Sequence, residues 1–192
     1  MRERDYLLDW VRGLSALAVL FAHVRGFAFV DFEESPTLGT IAKAFYLLTG
    51  LHHQAVMVFF VLSGYFVGGG VLSALSKGKF QWSKYISARL SRLWVVLIPA
   101  LIFTLVCDSL GRFEAPGLYE GANREIWMSG PEVDTPADNG LVTFVGNIFF
   151  LQTVTTSVYG SNGPLWSLAN EFWYYVLFPL FILGLSLSLI HI

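Results

Sequence analysis

Charged residues are scarce in this sequence. Only 14% of its 192 residues are charged, as 12 Lys and Arg and 14 Asp and Glu. Because a soluble domain carries about a quarter charged residues, this composition excludes an ordinary soluble domain. Hydrophobic residues instead make up 55% of the chain, and the mean hydropathy is +0.59. So large an apolar share must face lipid, and the sequence therefore predicts an integral membrane protein.

Cysteine and histidine are also rare. The single cysteine, Cys107, excludes an internal disulfide and, inside an apolar run, is expected to be structural. The adjacent His52 and His53 lack the i, i+4 spacing of a helical metal site, so no metal is predicted. The formal net charge of −2 gives no sign of a nucleic-acid partner, and none is expected.

Five apolar segments follow one another along the chain, at residues 7–29, 51–75, 93–110, 141–158 and 164–186. The longer ones can each cross roughly 30 Å of hydrocarbon as a helix, which predicts an all-α polytopic membrane bundle. The segment 141–158 is short and rich in Thr and Ser, so a re-entrant or interfacial element is an open alternative. The first segment contains Asp9 and Arg12 and lacks a cleavage site, so it is expected to be a retained span.

The distribution of charge between loops predicts the orientation. The connection between the second and third segments is basic and contains no acidic residue, whereas the connection 111–140 is acidic. The basic residues are Lys77, Lys79, Lys84, Arg89 and Arg92. Because short cytoplasmic loops are enriched in Lys and Arg, we expect a cytoplasmic amino terminus in the plasma (inner) membrane, with 111–140 outside.

The last residues carry a separate expectation. The chain stops within its fifth apolar segment, and its final residues, LSLIHI, match the translation of a common transposon-end sequencing adapter. Residues 187–192 are therefore expected to be non-native. Residues 1–186 are expected to be the N-terminal part of a longer membrane domain.

Arg12 and His23 lie eleven residues apart in the apolar run LLDWVRGLSALAVLFAHVRGFAFV. At about 100° per residue they share one face of a helix, about 16 Å apart along its axis. Lipid offers neither side chain a partner, so both are expected to face a polar interior. The alternative is that Asp9 and Arg12 are interfacial anchors and that His23 extends toward the far membrane surface beside Arg25. This alternative is weaker for His23, because an imidazole suits proton exchange near neutral pH.

Two further groups carry candidate chemistry. Arg89 and Arg92, three residues apart, could clamp a phosphate, although a membrane-surface anchor fits them equally. Glu171, in the run GPLWSLANEFWYYVLFPL, suits a proton acceptor or an orienter of an imidazole, or alternatively a helix-end carboxylate. Small residues in AVMVFFVLSGYFVGGG, among them Gly68, are expected to let another helix approach closely.

These stretches, in this order, resemble the acyltransferase 3 family of membrane O-acyltransferases. LDWVRGLSALAVLFAH resembles the family's Asp, Leu-Arg-Gly and distal His, and FFVLSGYF resembles its second-helix signature. Arg89 to Arg92 resembles its Arg-x-x-Arg, and GPLWSLANEFWYYVLFPL its Trp-Ser-Leu, Glu and aromatic signature. Where the family often has Val-Glu-Glu, this chain has Ala169-Asn170-Glu171, so the acidic role is carried to Glu171 alone. The resemblance covers nearly all of the chain and implies about the first half of a domain of around ten membrane helices.

The resemblance implies transfer of an acyl group, most often acetyl, from acyl-CoA on the cytoplasmic side to a hydroxyl of a carbohydrate or glycoconjugate. It implies His23 as the base or a transient acyl carrier, and Arg12 as a charge-stabilising group in the same cavity. Arg89 and Arg92 would hold phosphates of coenzyme A, and Glu171 would orient the imidazole or accept its proton. Acyl-CoA would be a co-substrate, and no tightly bound cofactor is expected.

Two other classes of function stay open from the residues alone. Intramembrane Arg, His and Glu also build the proton relays of a proton-coupled transporter or exporter. In a non-catalytic membrane scaffold, the same residues would only fix helix packing. A transporter moves its substrate without consuming an acyl donor, so release of free coenzyme A distinguishes the enzyme from both rivals.

Overall fold

A computed structural model describes residues 6–30, 32, 39–119 and 136–190. Within these residues the protein is all-α, as predicted, with an isolated β-bridge between Gln152 and Thr156 and no strand. Most of the predicted acidic loop, from Glu120 to Asp134, and the end of the suspected tail, His191 and Ile192, lie outside the described residues. The helices are α1 Tyr6–Ala28, α2 Thr40–Thr49, α3 His52–Ser76, α4 Trp82–Glu114, α5 Pro116–Tyr119, α6 Leu141–Ile148 and α7 Leu165–Ile190.

Four stretches are long and apolar enough to cross a membrane, rather than the five predicted, within the part of the chain that the structure describes. They are Tyr6–Ala28, Thr40–Ser76, Trp82–Glu114 and Leu165–Leu185. Many large apolar side chains on these stretches are exposed, among them Trp10, Val61, Val95, Phe103 and Phe181. A surface of this kind is stable against lipid hydrocarbon, which supports a multi-pass membrane protein.

The predicted segment 141–158 accounts for the difference in number. Only its first eight residues are helical, as α6, and the chain then turns through Phe150 and Thr153, which have positive φ angles of 59° and 70°. A right-handed helix cannot continue through that backbone conformation. Asn147 is fully buried and holds the turn, because its amide donates to the carbonyls of Thr143 and Ser157. Of the two alternatives that the sequence left open for this segment, the full span is therefore wrong, and a short helix followed by a folded turn is found instead.

The long helices pack in the order α1, α3, α7, α4, with α3 between α1 and α7 and α7 between α3 and α4. At Gly68 of α3 an added Cβ would lie 3.1 Å from the ring of Phe178 on α7. The predicted close approach of another helix is therefore confirmed at Gly68. Gly64 and Gly70 have open space where a Cβ would stand, so the small residues of this run do not all serve packing.

The buried core lies between α4, α7 and the turn after α6. Its centre includes Leu97 and Leu101 of α4, Phe150 of the turn and Ala169 of α7, each at most 1% exposed. The turn is fastened to both helices by indole N–H groups. Trp94 Nε1 donates to Ile148 and Trp173 Nε1 donates to Phe150, at 2.9 and 3.0 Å. The turn therefore fixes the register between α4 and α7, the two helices that carry Arg92 and Glu171.

Candidate functional site

A cavity of about 400 Å³ lies among α1, α3, α4 and α7, with apolar walls that include Val19, Val56 and Phe66. Its volume is within the range of small-molecule sites. Three of the five site residues predicted from the sequence line it, although they are far apart along the chain. The polar side chains in the lining are Arg12, Ser63, Arg92, Ser167, Glu171 and Tyr175.

Glu171 is held in this cavity by two hydroxyl groups. Ser63 Oγ of α3 donates to Glu171 Oε1 at 3.2 Å, and the hydroxyl of Tyr175, one turn further along α7, donates to the same oxygen. The two hydroxyl oxygens lie 3.1 Å apart. Tyr85 Oη of α4 donates to the carbonyl oxygen of Tyr175 at 3.0 Å. The carboxylate therefore ties α3 to α7 while its other oxygen remains for a ligand or a water molecule.

Arg12 and Arg92 bring positive charge to the cavity from opposite helices of the bundle. The guanidinium carbon of Arg12 lies 6.0 Å from the centre of the Phe66 ring on α3, within cation–π range. Arg92 reaches the cavity from α4, on the other side of α7. Two guanidiniums against the one carboxylate of Glu171 leave an excess of positive charge in the lining, which suits an anionic ligand.

His23 does not line the cavity. Its ring centre lies 6.3 Å from that of His52 at the start of α3. Val19 and Val56, which do line the cavity, are each four residues, about one helical turn, from His23 and His52 respectively. The two histidines therefore lie about one turn beyond the valine end of the cavity, and His23 faces α3 as Arg12 does.

Glu171 and His23 occupy different levels of the bundle. Glu171 is hydrogen-bonded to Ser63, whereas His23 lies beside His52 on the same helix α3. Eleven residues separate Ser63 from His52, a distance of about 16 Å along the helix axis. Direct orientation of the imidazole by Glu171, one of the roles that the resemblance implied, therefore has no contact behind it in the described residues.

Arg89 and Arg92 both lie within α4, which begins at Trp82 rather than near residue 93. Arg92 lines the main cavity, whereas Arg89 lines a neighbouring pocket together with Lys79 and Lys84. Each arginine thus faces its own pocket, whereas the three-residue spacing had left a shared phosphate clamp and a membrane-surface anchor as alternatives.

Sequence reasoning missed the partners of Glu171. Tyr175 follows Glu171 by four residues, and this helical spacing could have predicted their contact. Ser63 was interpreted as a small packing residue, and no local pattern links it to a carboxylate 108 positions away. Such a contact depends on how α3 packs against α7, which hydrophobic periodicity does not specify.

A second buried carboxylate, Asp108 near the end of α4, was also missed. It is 1% exposed and accepts hydrogen bonds from the Ser161 backbone N–H at 3.0 Å, the Ser161 hydroxyl at 2.6 Å and the Asn139 amide at 2.8 Å. Gly160 has a φ of +58°, and a Cβ there would collide with Asp108. An acidic residue within an apolar run is costly without partners, and that cost could have identified it. The network holds the segment before α7 against α4.

No group of three or more His, Cys, Asp and Glu side chains is placed to hold a metal ion in the described ranges. The ring centres of the adjacent His52 and His53 lie 4.1 Å apart. His53 is exposed, whereas the ring centre of His52 lies 6.3 Å from that of His23. Cys107 is exposed on α4.

A family model described as an acyltransferase domain matches residues 5–190, a range that includes every residue of the cavity lining. No curated protein and no solved structure matches the chain. A match of this extent establishes membership, and this multi-pass membrane protein, whose described residues include four apolar stretches of membrane-spanning length, belongs to the acyltransferase 3 family.

Proposed function

We propose that the protein is a membrane O-acyltransferase that moves an acyl group, most simply acetyl, from acyl-CoA to a hydroxyl of a carbohydrate or glycoconjugate. The observation that carries the proposal is the cavity in which Arg12, Arg92 and Glu171 meet from three helices. An acyl-CoA donor is a polyanion with a long uncharged arm, and a cavity with a cationic part and apolar walls is complementary to it.

The reaction is a single acyl transfer in this proposal. The hydroxyl oxygen of the acceptor attacks the thioester carbonyl carbon and the carbon–sulfur bond breaks. The hydroxyl proton passes to the imidazole of His23 and from there to the leaving sulfur, which gives an ester and free coenzyme A. An imidazole is suited to both proton transfers because its usual pKa is close to neutral pH.

The distance between Arg12 and His23 along α1 supports one orientation of the bound donor. Arg12 and His23 face the same helix, about 16 Å apart along the axis, with Val19 and the apolar cavity wall between them. A donor whose anionic end lies near Arg12 and Arg92 would extend its thioester toward the level of His23. Because Arg12 lies at the end of α1 assigned to the cytoplasm, the donor would enter from inside and the carbohydrate from outside.

Glu171 is assigned to the cationic part of the cavity rather than to the imidazole. Its charge offsets one of the guanidiniums, and the hydrogen bond that it accepts from Ser63 holds α3 beside α7 next to the donor. In this role it is a positioning residue that sets how strongly Arg12 and Arg92 attract the donor.

The proposal is tested by His23→Ala in the full-length protein, expressed in the plasma (inner) membrane. Release of free coenzyme A from acetyl-CoA is measured with and without a polysaccharide acceptor. We expect acceptor-dependent release to fall by at least about 100-fold, the usual contribution of a general base. The amount of protein in the membrane should be unchanged.

His53→Ala is the matched control, since His53 is an exposed histidine and the second residue of α3, next to the His52 that contacts His23. It should retain activity. Transfer retained by His23→Ala would refute His23 as the base. Movement of a solute across the membrane without consumption of acetyl-CoA would instead favour the transporter.

A further inference from the structure

A second pocket lies next to the main cavity, between the end of α3 and the start of α4. It measures about 290 Å³, and its lining contains the cations Lys79, Lys84 and Arg89 and no acidic side chain. No Asp or Glu occurs anywhere between Glu34 and Asp108 in the sequence. Three positive charges without a counter-charge in one small pocket are complementary to phosphate groups.

Arg89 is fixed in this pocket by aromatic rings rather than by hydrogen bonds. Its guanidinium carbon lies 5.7 Å from the ring centre of Tyr85 and 5.5 Å from that of Tyr175. Stacking of this kind occupies the faces of the guanidinium and leaves its in-plane N–H groups free to donate. The buried Nε–H of Arg89 has no hydrogen-bond partner among the described residues. Because such a donor is costly to leave unpaired, it indicates a ligand that accepts from it.

The pocket adjoins the main cavity. Phe66 and Val67 line both, and Tyr175 lines the main cavity while its ring stacks on Arg89. A volume of about 290 Å³ is at the lower limit for a complete ligand site, so a ligand held here would extend into the adjoining 400 Å³. The geometry therefore favours a long ligand with an anionic end rather than a compact ion.

Aromatic side chains form one side of the pocket. Phe80 lines it, and the ring of Phe80 lies 5.2 Å from that of Trp82 and 5.5 Å from that of Tyr85. A face of an aromatic ring is a sequence-tolerant surface on which a purine base can stack. Cations and an aromatic surface together are typical of a nucleotide site.

We propose that this pocket binds the phosphorylated nucleoside end of the acyl donor. Lys79 and Lys84 act as phosphate ligands beside Arg89, and Phe80 packs against the base. The inference rests on the proposed acyl-CoA function and adds two lysines and a phenylalanine to the donor site. It divides the donor between two pockets, with Arg89 at the nucleotide and Arg92 with Arg12 at the arm that leads toward His23.

The test is the double variant Lys79→Gln, Lys84→Gln in the full-length protein, with Lys77→Gln as the matched control. Lys77 belongs to the same loop but does not line the pocket. Binding of adenosine 3′,5′-bisphosphate and the KM for acetyl-CoA are both measured. We expect the Kd for adenosine 3′,5′-bisphosphate and the KM for acetyl-CoA each to rise about tenfold or more in the double variant, since charge-assisted hydrogen bonds are lost. Both constants should be unchanged in Lys77→Gln, and the kcat should be unchanged in the double variant.

The same variants separate a nucleotide from a lipid headgroup as the source of the phosphate. The measurements are repeated in phosphatidylcholine vesicles with and without phosphatidylglycerol. A loss of nucleotide binding that is independent of phosphatidylglycerol supports the proposal. If the double variant leaves nucleotide binding intact and changes only how activity depends on phosphatidylglycerol, the pocket is a lipid site and the proposal is overturned.

The measurements distinguish an incorrect assignment of the pocket from an incorrect assignment of the acyltransferase function. Acetyl transfer with an unchanged KM in the double variant overturns the pocket while the function stands. Nucleotide binding that disappears in the double variant, in a protein that transfers no acyl group, supports the pocket and refutes the function. Equal thermal unfolding of both variants and of the wild type excludes misfolding as the cause.

Discussion

Glu171 accepts hydrogen bonds from two hydroxyl groups, and its negative charge offsets part of the positive charge in the main cavity. Ser63 and Tyr175 both bond to its Oε1, and Arg12 and Arg92 line the same space. The hydrogen bonds and the charge can be separated by substitution, because an amide accepts the same bonds without carrying the charge.

We therefore expect Glu171→Gln to keep the bundle folded and to lower the KM for acetyl-CoA by about fivefold, because the cavity lining gains one net positive charge and attracts the anionic donor more strongly. Ser63→Ala keeps the charge and removes one hydrogen-bond donor, so it should instead reduce kcat/KM by about fivefold, as one lost hydrogen bond implies. Steady-state coenzyme A release by purified, reconstituted protein measures both effects. A KM that is unchanged or raised in Glu171→Gln would contradict the charge-offsetting role.

Asp108 is a residue whose importance is structural. Its substitution by Ala leaves the Ser161 and Asn139 donors without their acceptor in a buried site. We expect Asp108→Ala to lower the free energy of unfolding by about 3 kcal/mol, because each buried donor without a partner is penalised.

The measurement for Asp108→Ala is denaturant unfolding in detergent, with Cys107→Ala as the control because the neighbouring Cys107 is exposed. The control should change stability by less than about 0.5 kcal/mol, as surface substitutions do. An Asp108→Ala protein as stable as the control would contradict the structural role of the network.

At the scale of elements, the start of α6 depends on a carboxylate outside the membrane-spanning helices. Asp138 accepts hydrogen bonds from the Thr143 hydroxyl and, at 2.7 Å, from the Gly140 backbone N–H. The Thr143 hydroxyl, followed by the Gly140 N–H, holds the pKa of Asp138 below its usual value. Because the folded state favours the carboxylate, this contribution is present above the unfolded pKa of about 3.9 and is lost as the pH falls through the lower folded value.

The expected outcome is a thermal unfolding temperature that decreases below about pH 4, with a smaller decrease in Asp138→Asn, which cannot titrate there. Unfolding temperatures of both proteins between pH 3 and pH 7 provide the check. The difference between them should be small, because Asp138 is exposed and water screens its interactions. Identical pH profiles would contradict a stabilising role for this carboxylate.

Element positions were predictable from the sequence where length and hydropathy decide. The first, second, third and last apolar segments each coincide with a helical stretch of membrane-spanning length, because a run of that length is most stable as a helix in lipid. The second and third stretches begin at Thr40 and Trp82, well before the predicted residues 51 and 93. For the segment 141–158 the sequence left a span and a re-entrant or interfacial element as alternatives and could not decide between them. Its fold depends on Asn147 and on the positive φ of Phe150, and neither a buried amide bond nor a backbone angle is visible in composition.

The candidate site, too, could be predicted from the sequence only in part. Helical spacing was sufficient to place Arg12 and His23 on one face of α1, and both side chains do face α3. Spacing could not reveal that Glu171 lies at the level of Arg12, or that Arg89 and Arg92 line separate pockets. These relations are set by the packing of α3, α7 and α4 against one another, which is a tertiary property.

At the scale of the whole molecule, the four long helices combine two chemically different regions. One is the cationic part, with Arg12, Arg92 and the neighbouring lysine pocket, and the other is the His23 and His52 pair beyond the apolar wall. In the proposed orientation the first faces the cytoplasm and the second the outside. A thioester donor and a carbohydrate acceptor would then meet within the bundle without either crossing the membrane completely.

The most direct test of this account follows a labelled acetyl group from acetyl-CoA in membranes that contain the full-length protein. The account predicts that label appears as an ester on an added polysaccharide and that free coenzyme A is released in equal amount. Both signals should be absent when His23 is replaced by Ala and present when His53 is. Coenzyme A release that does not depend on the acceptor, or label transfer that persists without His23, would contradict the central claim.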